Sequence, residues 1–269
     1  MLSEEDIKEF AKEQFEQANS SARVIKFSAQ ARETTAVLEA EHYMAKSARS
    51  LHNLPDFANI ETTYGKAAWA AMLCVDIRGS TTREIDIGPK DTFLTVHTYL
   101  PTMVRIVADW NGSVVGLRGD GLIAAVGLHA RKTNSNTEIT QKQASKAVSD
   151  AVLCGKAMLE SIDIINEILR DGGVRDGLHI GVGIDVSDIV VTRIGLLSDT
   201  ELTAYGPSVS KASKFSFEKN QICMSLRAKA MYPTAEGGKA VFKSCSRFND
   251  AIIIDLKDHK VLSRKVKPR

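Results

Sequence analysis

The chain has no excess of charge of either sign: 35 Lys and Arg stand against 33 Asp and Glu, for a net charge of +2. That excludes a global basic field for nucleic acid and a long acidic tail. The basic residues at the end, Arg264, Lys265, Lys267 and Arg269, read as a solvated tail. Long hydrophobic runs are also missing. None approaches the roughly 18 apolar residues that a membrane span requires, so no membrane role is expected. The N-terminus, MLSEEDIKEFAKEQF, is charged and helical in pattern, unlike a signal peptide, and points to a cytoplasmic location. Cysteine is scarce and scattered: Cys74, Cys154, Cys223 and Cys245 form no CxxC and pair with no histidine. Buried thiols in a reducing compartment fit better than a disulfide framework or a zinc site. No internal repeat or low-complexity tract is visible. His129 and His179 read as strand or surface histidines without an acid–base role.

At 269 residues, 43% hydrophobic and 25% charged, the chain can bury a substantial core. Its composition divides it into residues 1–60, a helical extension with a connector broken by Pro55, and residues 61–269, one α+β domain. Ser3 ahead of Glu4, Glu5 and Asp6 opens one or two amphipathic helices that run to about Ser50. From Lys66 the pattern changes. AAWAAMLCVDI is a near-continuous apolar run, as in a strand buried on both faces. Pro89 to Trp110 reads as a helix kinked at Pro101. Ser113–Leu117 and Leu122–Val126 form a hairpin whose tip is RGDG. Thr140 to Arg170 is the longest helix, stopped by Gly172 and Gly173. LHIGVGIDV and DIVVTRIG read as two further strands. The order is βαββαβ, the arrangement of a ferredoxin-like core. A short strand (LTAY), a helix from about Ser208 and a β-rich end containing AIIIDL follow.

Two segments carry the chemistry. AMLCVDIRGST, residues 71–81, ends an apolar strand on Asp76; VVGLRGDGLIAAVG, residues 114–127, puts Asp120 at a hairpin tip. A strand-terminal Asp also serves as a cap, and Asp-Gly as an ordinary turn. In a βαββ core, however, the first strand and the hairpin are neighbours, so both carboxylates converge. A divalent cation needs one or two carboxylates, a backbone carbonyl such as that of Ile77, and phosphate oxygens. Gly79, Ser80 and Thr81 precede a helical region, where free amides can cradle a triphosphate. This is the equipment of a two-metal phosphoryl-transfer site.

VDIRGST followed by GLRGDGLIAAVG resembles the paired metal motifs of class III nucleotidyl cyclases, and AYGPSVSKASKF, residues 204–215, answers that family's third segment. GVGID and VVTRIG resemble two more of its strands. The resemblance spans about residues 67–260. It implies the ferredoxin-like core of that family, with extra C-terminal strands and an N-terminal helical extension. It implies two divalent cations, Mn²⁺ or Mg²⁺, on Asp76, Ile77 and Asp120, and triphosphate contacts from Ile77, Gly79, Ser80 and Thr81. It also implies a head-to-tail homodimer in which Ser210 and Lys214 reach the site of the other protomer. Those two replace the family's transition-state Asn and Arg. Gly116 stands where purine cyclases carry a base-reading Lys or Glu. In these departures the chain is similar to the Pycsar pyrimidine cyclases of bacterial anti-phage defence. The implied reaction converts UTP to cyclic UMP, triggered by infection and heard by a separate effector. Open alternatives are a cytidylate cyclase using CTP, a purine cyclase, and an inactive nucleotide-sensing module. Tyr64, Trp69, Arg118 and Tyr205 lie nearest the motifs as candidate base contacts, each with core packing or solvation as the competing reading.

Overall fold

The computed structural model describes residues 1–24, 51–130, 139–175, 177–196, 199–233, 239–256 and 259–262. The N-terminal pattern yields helix α1 (Glu4–Val24). Ser3 and Asp6 cap it reciprocally: Asp6 N–H donates to Ser3 Oγ at 3.1 Å, and Ser3 N–H donates to Asp6 Oδ2 at 2.9 Å. The helical reading of residues 25–50 lies outside the described residues. The stripe Ile7, Ala11, Phe15, Ala18 and Ala22 is buried within the main core of the chain. Its apolar face is therefore covered by the same protomer.

The central strand β1 (Gly65–Ile77) is followed by α2 (Ser80–Asp109), the hairpin β2 (Gly112–Arg118) and β3 (Gly121–Ala130), then α3 (Gln141–Asp171) and β4 (Ile180–Leu196). This is the expected βαββαβ order. After it come β5 (Asp199–Tyr205), α4 (Pro207–Phe215), β6 (Ile222–Ser225), the short α5 (Leu226–Met231), β7 (Ala240–Ser244) and β8 (Ala251–Leu256). One eight-stranded sheet runs β2-β3-β1-β4-β6-β8-β7, with β5 on β4. Its first four members have the ferredoxin-like order.

Three local readings change. LHIGVGIDV and DIVVTRIG are one 17-residue strand, because β1 pairs with β4 without a break from Ile77↔Ile180 to Gly65↔Thr192. A strand buried against a continuous neighbour has no reason to turn; the hairpin partner is β5, which holds LTAY. The helix read from Pro89 begins earlier, at Ser80, and is interrupted at Gly88 (φ 76°, ψ 173°), whereas helical dihedrals continue through Pro101. Pro89 sits where a helix restarts, where its missing N–H costs nothing. The longest helix keeps its boundaries, with Thr140 and Gln143 forming a capping box.

The sheet is covered on both faces. Helices α1 to α3 bury Leu73, Val75, Val126, Ile184 and their neighbours on one side. On the other, residues 51–60 and α4 cover Ala70, Met72, Ile123, Ile189 and Val191. α4 lies directly on two glycines of β4. A Cβ on Gly183 would stand 1.9 Å from Ala212 O, and one on Gly181 2.1 Å from Ser216 O. Only glycine permits that approach of helix backbone to strand. All four cysteines are free, with Cys74, Cys154 and Cys223 buried and Cys245 partly exposed. Among the described residues no helix is long and apolar enough to cross a membrane.

Gly183→Ala is expected to destabilise the protein by about 3 kcal/mol, the upper part of the range for overpacking a tight contact. Urea unfolding measures it. A loss below roughly 0.5 kcal/mol, the level of an indifferent surface change, would contradict the seating of α4 on the strand.

Candidate active site

Register places the first carboxylate. β1 pairs antiparallel with β3, Val75 facing Leu122, so the next residue, Asp76, falls beside the hairpin tip. The tip is the turn Gly119-Asp120 between β2 and β3, with Gly119 in the left-handed region at φ 61°. Gly121 makes room: a Cβ there would stand 3.0 Å from Asp76 Oδ1. Asp76 and Asp120, distant in the chain, thus share one location.

Their electrostatics record the crowding. The Asp76 carboxyl is pushed above its usual value, first by burial and then by the Asp120 charge, while Arg78 pulls it back. Arg78 Nη1 donates to Asp76 Oδ2 at 2.9 Å and to the Ser216 carbonyl, just past α4, at 3.3 Å. Both partners of the ion pair are about one-third exposed, at 30% and 33%. Such pairs are worth about 1 kcal/mol or less, so Arg78 offsets part of the repulsion and the net shift stays upward. Asp120 fares worse: its Oδ2 is buried without a hydrogen-bond partner. Tyr99 of α2 is fully buried in the helix-side core, its hydroxyl also unpartnered.

This donor set fits a hard divalent cation. A buried, unsatisfied carboxylate oxygen beside a second carboxylate is costly unless positive charge joins it. Among the described residues no group of three His, Cys, Asp or Glu comes together. Two carboxylates remain, and Asp76, Asp120 and the Ile77 carbonyl would hold a cation whose other ligands come from phosphate and water. The turn that follows is open. Gly79 caps α2 at φ 73°, with no side chain capping the helix. The amides of Ser80 and Thr81, in its first turn, suit an anion.

Asp76, Ile77, Gly79, Ser80, Thr81 and Asp120 therefore stand together. Ser210 and Lys214 make no hydrogen bond or ion pair with these residues. Both are exposed on one face of α4, one helical turn apart. Of the candidate base contacts, Trp69 is buried in the helix-side core, opposite Asp188 on β4 and remote along β1 from Asp76. That placement makes it a packing residue. Arg118 flanks the tip and is exposed; Tyr64 and Tyr205 are exposed as well. Three residues escaped the sequence reading. Arg78 could have been found, since it lies two positions after Asp76 and strand periodicity puts both on one side. Tyr99 gave only the faint signal of a polar tip on an apolar stripe. Glu201 gave none: its Oε1 lies 3.8 Å from where a Cβ on Gly116 would stand, a contact made only when β5 folds beside β2.

No protein-family model matches the chain, and no curated protein matches its sequence. Solved structures match its fold. The adenylyl cyclase CyaB from P. aeruginosa is 20% identical over 71% of this chain and 94% of its own, with a TM-score of 0.55. The guanylate cyclase domain of RhGC from Catenaria anguillulae, in complex with GTP, is 16% identical over 71% of this chain and 96% of its own, with a TM-score of 0.53. A class III adenylyl cyclase-like ATP-binding protein from Pseudomonas aeruginosa is 23% identical over 74% of this chain and 44% of its own, with a TM-score of 0.56. At these identities the likeness is one of fold: the chain has the α+β fold of class III nucleotidyl cyclase domains.

The strained carboxylate pair gives a signed expectation. The Asp76 carboxyl is raised in the folded protein, so the folded state binds more protons. The pair's penalty is absent below the ordinary carboxylate range and grows as pH rises through the raised value. Asp120→Asn is therefore expected to raise Tm at pH 7 in chelator-treated protein and to abolish any stabilisation by added Mn²⁺. Differential scanning fluorimetry reads both. An unchanged Mn²⁺ response in the variant would remove Asp120 from the site.

Proposed function

We propose that this protein is a nucleotidyl cyclase that converts a pyrimidine nucleoside triphosphate, UTP, into 3′,5′-cyclic UMP and pyrophosphate. The observation that carries this reading is the convergence of Asp76 and Asp120, one oxygen unsatisfied, beside an open helix N-terminus. Bound Mn²⁺ or Mg²⁺ supplies Lewis acidity at the ribose 3′-hydroxyl and neutralises the triphosphate. Asp76, Asp120 and the Ile77 carbonyl would hold the cations. The amides of the Gly79-Ser80-Thr81 turn orient the triphosphate. The 3′-hydroxyl gives up its proton to solvent, its oxygen bonds to the α-phosphorus, the bond to the bridging oxygen breaks, and pyrophosphate leaves with that electron pair.

Ser210 and Lys214 complete the site from a second copy. Each is exposed, and its side chain has no hydrogen-bond or ion-pair partner among the described residues. The partner's Lys214 stabilises charge on the α-phosphoryl group, and the partner's Ser210 donates one hydrogen bond. An apolar surface supports the pairing. Val190 and Ile194 are 45% and 47% exposed on one face of β4, and Tyr205, 51% exposed, is the cross-strand neighbour of Val190.

The pyrimidine assignment rests on Gly116, which presents no side chain, and on the resemblance of the motifs to pyrimidine cyclases. The Glu201 carboxylate beside Gly116 can accept a hydrogen bond from the N3–H of uracil or the amino group of cytosine. The product would act as a second messenger for a separate effector in anti-phage defence. A second reading, nucleotide binding without turnover, draws support from Ser210 and Lys214 and from the ATP-binding structure that shares the fold.

Incubation with each of the four NTPs and Mn²⁺, followed by mass analysis, separates these readings. UTP should give cyclic UMP, with ATP and GTP much poorer. CTP ranking first would correct the base, a purine ranking first would sink the pyrimidine assignment, and tight binding without product would select the sensing module. Asp76→Asn, which removes a cation ligand, should abolish turnover, and Lys214→Ala should lose at least about 100-fold in kcat, as for removal of one transition-state donor. Mixing the two inactive variants should restore turnover, because one composite site then holds both intact halves. Failure to restore it under demonstrated subunit exchange would contradict a shared site.

A further inference from the structure

At the C-terminal end of α4 sits a small hydrophobic cluster, separate from the two that flank the sheet. Phe215, Cys223 and Ala251 are its buried members, and Phe217, Cys245 and Phe248 pack against them. Two of these residues are thiols, 22 positions apart in the chain. Cys223 stands on β6 and Cys245 directly follows β7, with β8 between those strands. Their sulfur atoms are 3.9 Å apart. The remaining thiols lie elsewhere, Cys154 in the helix-side core and Cys74 in the core of the opposite face.

The pair is unequal in access. Cys223 is enclosed at 0% exposure, whereas Cys245 is partly exposed between the exposed Ser244 and Ser246. Burial also holds the Cys223 thiol well above its ordinary value, so an oxidant meets Cys245 first. An accessible thiol backed by a second thiol is the arrangement that stops at a disulfide instead of proceeding to irreversible acids. Closure requires the sulfur separation to fall from 3.9 Å to about 2.05 Å. Residues 245–250 link β7 to β8 without helix or strand, so the adjustment falls on this loop and not on β6.

We propose that Cys223 and Cys245 form a redox-responsive modification site, in which hydrogen peroxide closes a reversible disulfide that ties the loop 245–250 to β6. The Cys245 sulfur attacks the peroxide, the O–O bond breaks, and a sulfenic acid and one water form. Cys223 then attacks that sulfur, the S–O bond breaks, and the hydroxyl leaves as water with the Cys223 proton. In sum, two thiols and one peroxide give one disulfide and two waters. The loop so fixed also supports α4. Asp250 forms an ion pair with Lys211, and Phe248 packs edge-on against Phe215 and Phe217, each at 5.2 Å between ring centroids. Oxidation thereby stiffens the seat of the helix that carries Ser210 and Lys214. The site stands independently of the nucleotide reading.

The test treats the reduced full chain with hydrogen peroxide, then unfolds and alkylates it for mass spectrometry without reduction, with Tm measured in parallel. A peptide joining Cys223 to Cys245 is expected, with an intact mass lower by two hydrogen atoms and Cys74 and Cys154 still alkylated. Tm should rise by roughly 5 °C, and dithiothreitol should reverse both changes. Cys245→Ser should lose the cross-link and the rise in Tm; Cys223→Ala gives the same comparison should the Ser variant misfold. Cys245 carried to the sulfinic acid with Cys223 still alkylated would overturn the proposal. A cross-link without a change in Tm would overturn the stiffening of the loop.

Discussion

The fold forces two like charges to one spot, and much of the structure follows from holding them there. Asp76 and Asp120 meet because β1 lies between β3 and β4, with both registers fixed along its length. A slip of one residue would turn the alternating faces of β1 inside out, putting Leu73 and Val75 where Met72 and Cys74 now pack. The hydrophobic core thus enforces the register, and the register enforces the carboxylate pair. The cost is visible in the raised Asp76 carboxyl and the stranded Asp120 oxygen. Backbone and core can sustain that cost because the sheet is anchored on both faces, and local strain of this kind collects where a charged ligand is expected.

The second constraint is the bed of glycine under α4. Gly181 and Gly183 let the helix backbone touch the strand, which leaves little freedom in its height or rotation. Val209, Ala212 and Phe215 face inward, so Ser210 and Lys214 must face out. Arg78 ties the end of the same helix to Asp76 through the Ser216 carbonyl. In the dimer we propose, α4 of one protomer serves the other protomer's site. The Arg78 contact therefore places the metal half-site of one centre against the helix that belongs to the other. Two centres built this way share their supports.

The legible parts of the chain were those where one local rule dominates. The α3 stripe of Val148, Val152, Met158, Ile162, Ile165 and Leu169 repeats at helical spacing, and Thr140 and Gly172 mark its ends; all six side chains are buried as expected. The hairpin followed from Gly and Asp between apolar runs. The misread parts were those where partners decide. DIVVTRIG looked separate because Asp185, Ser187 and Asp188 interrupt its apolar pattern. Yet Ser187 is absorbed by Ser208, with Oγ atoms 2.7 Å apart, and Asp185 by Arg227 at 2.6 Å. Pro101 looked like a kink, but the non-helical angles sit at Gly88, where φ > 0 suits glycine and a proline follows.

What the sequence determined by itself was the order of elements, the identity of both carboxylates, and the turn residues that expose them, because periodicity and turn chemistry act over a few neighbouring residues. Only the tertiary structure decided that Asp76 and Asp120 crowd each other, that Arg78 bridges Asp76 to the Ser216 carbonyl past α4, that Glu201 stands beside Gly116, and that Ser210 and Lys214 are exposed. Each of these depends on segments far apart in the chain coming together. Charge repulsion, desolvation and an unmade hydrogen bond depend on distance and burial, and neither exists until the sheet has closed around β1.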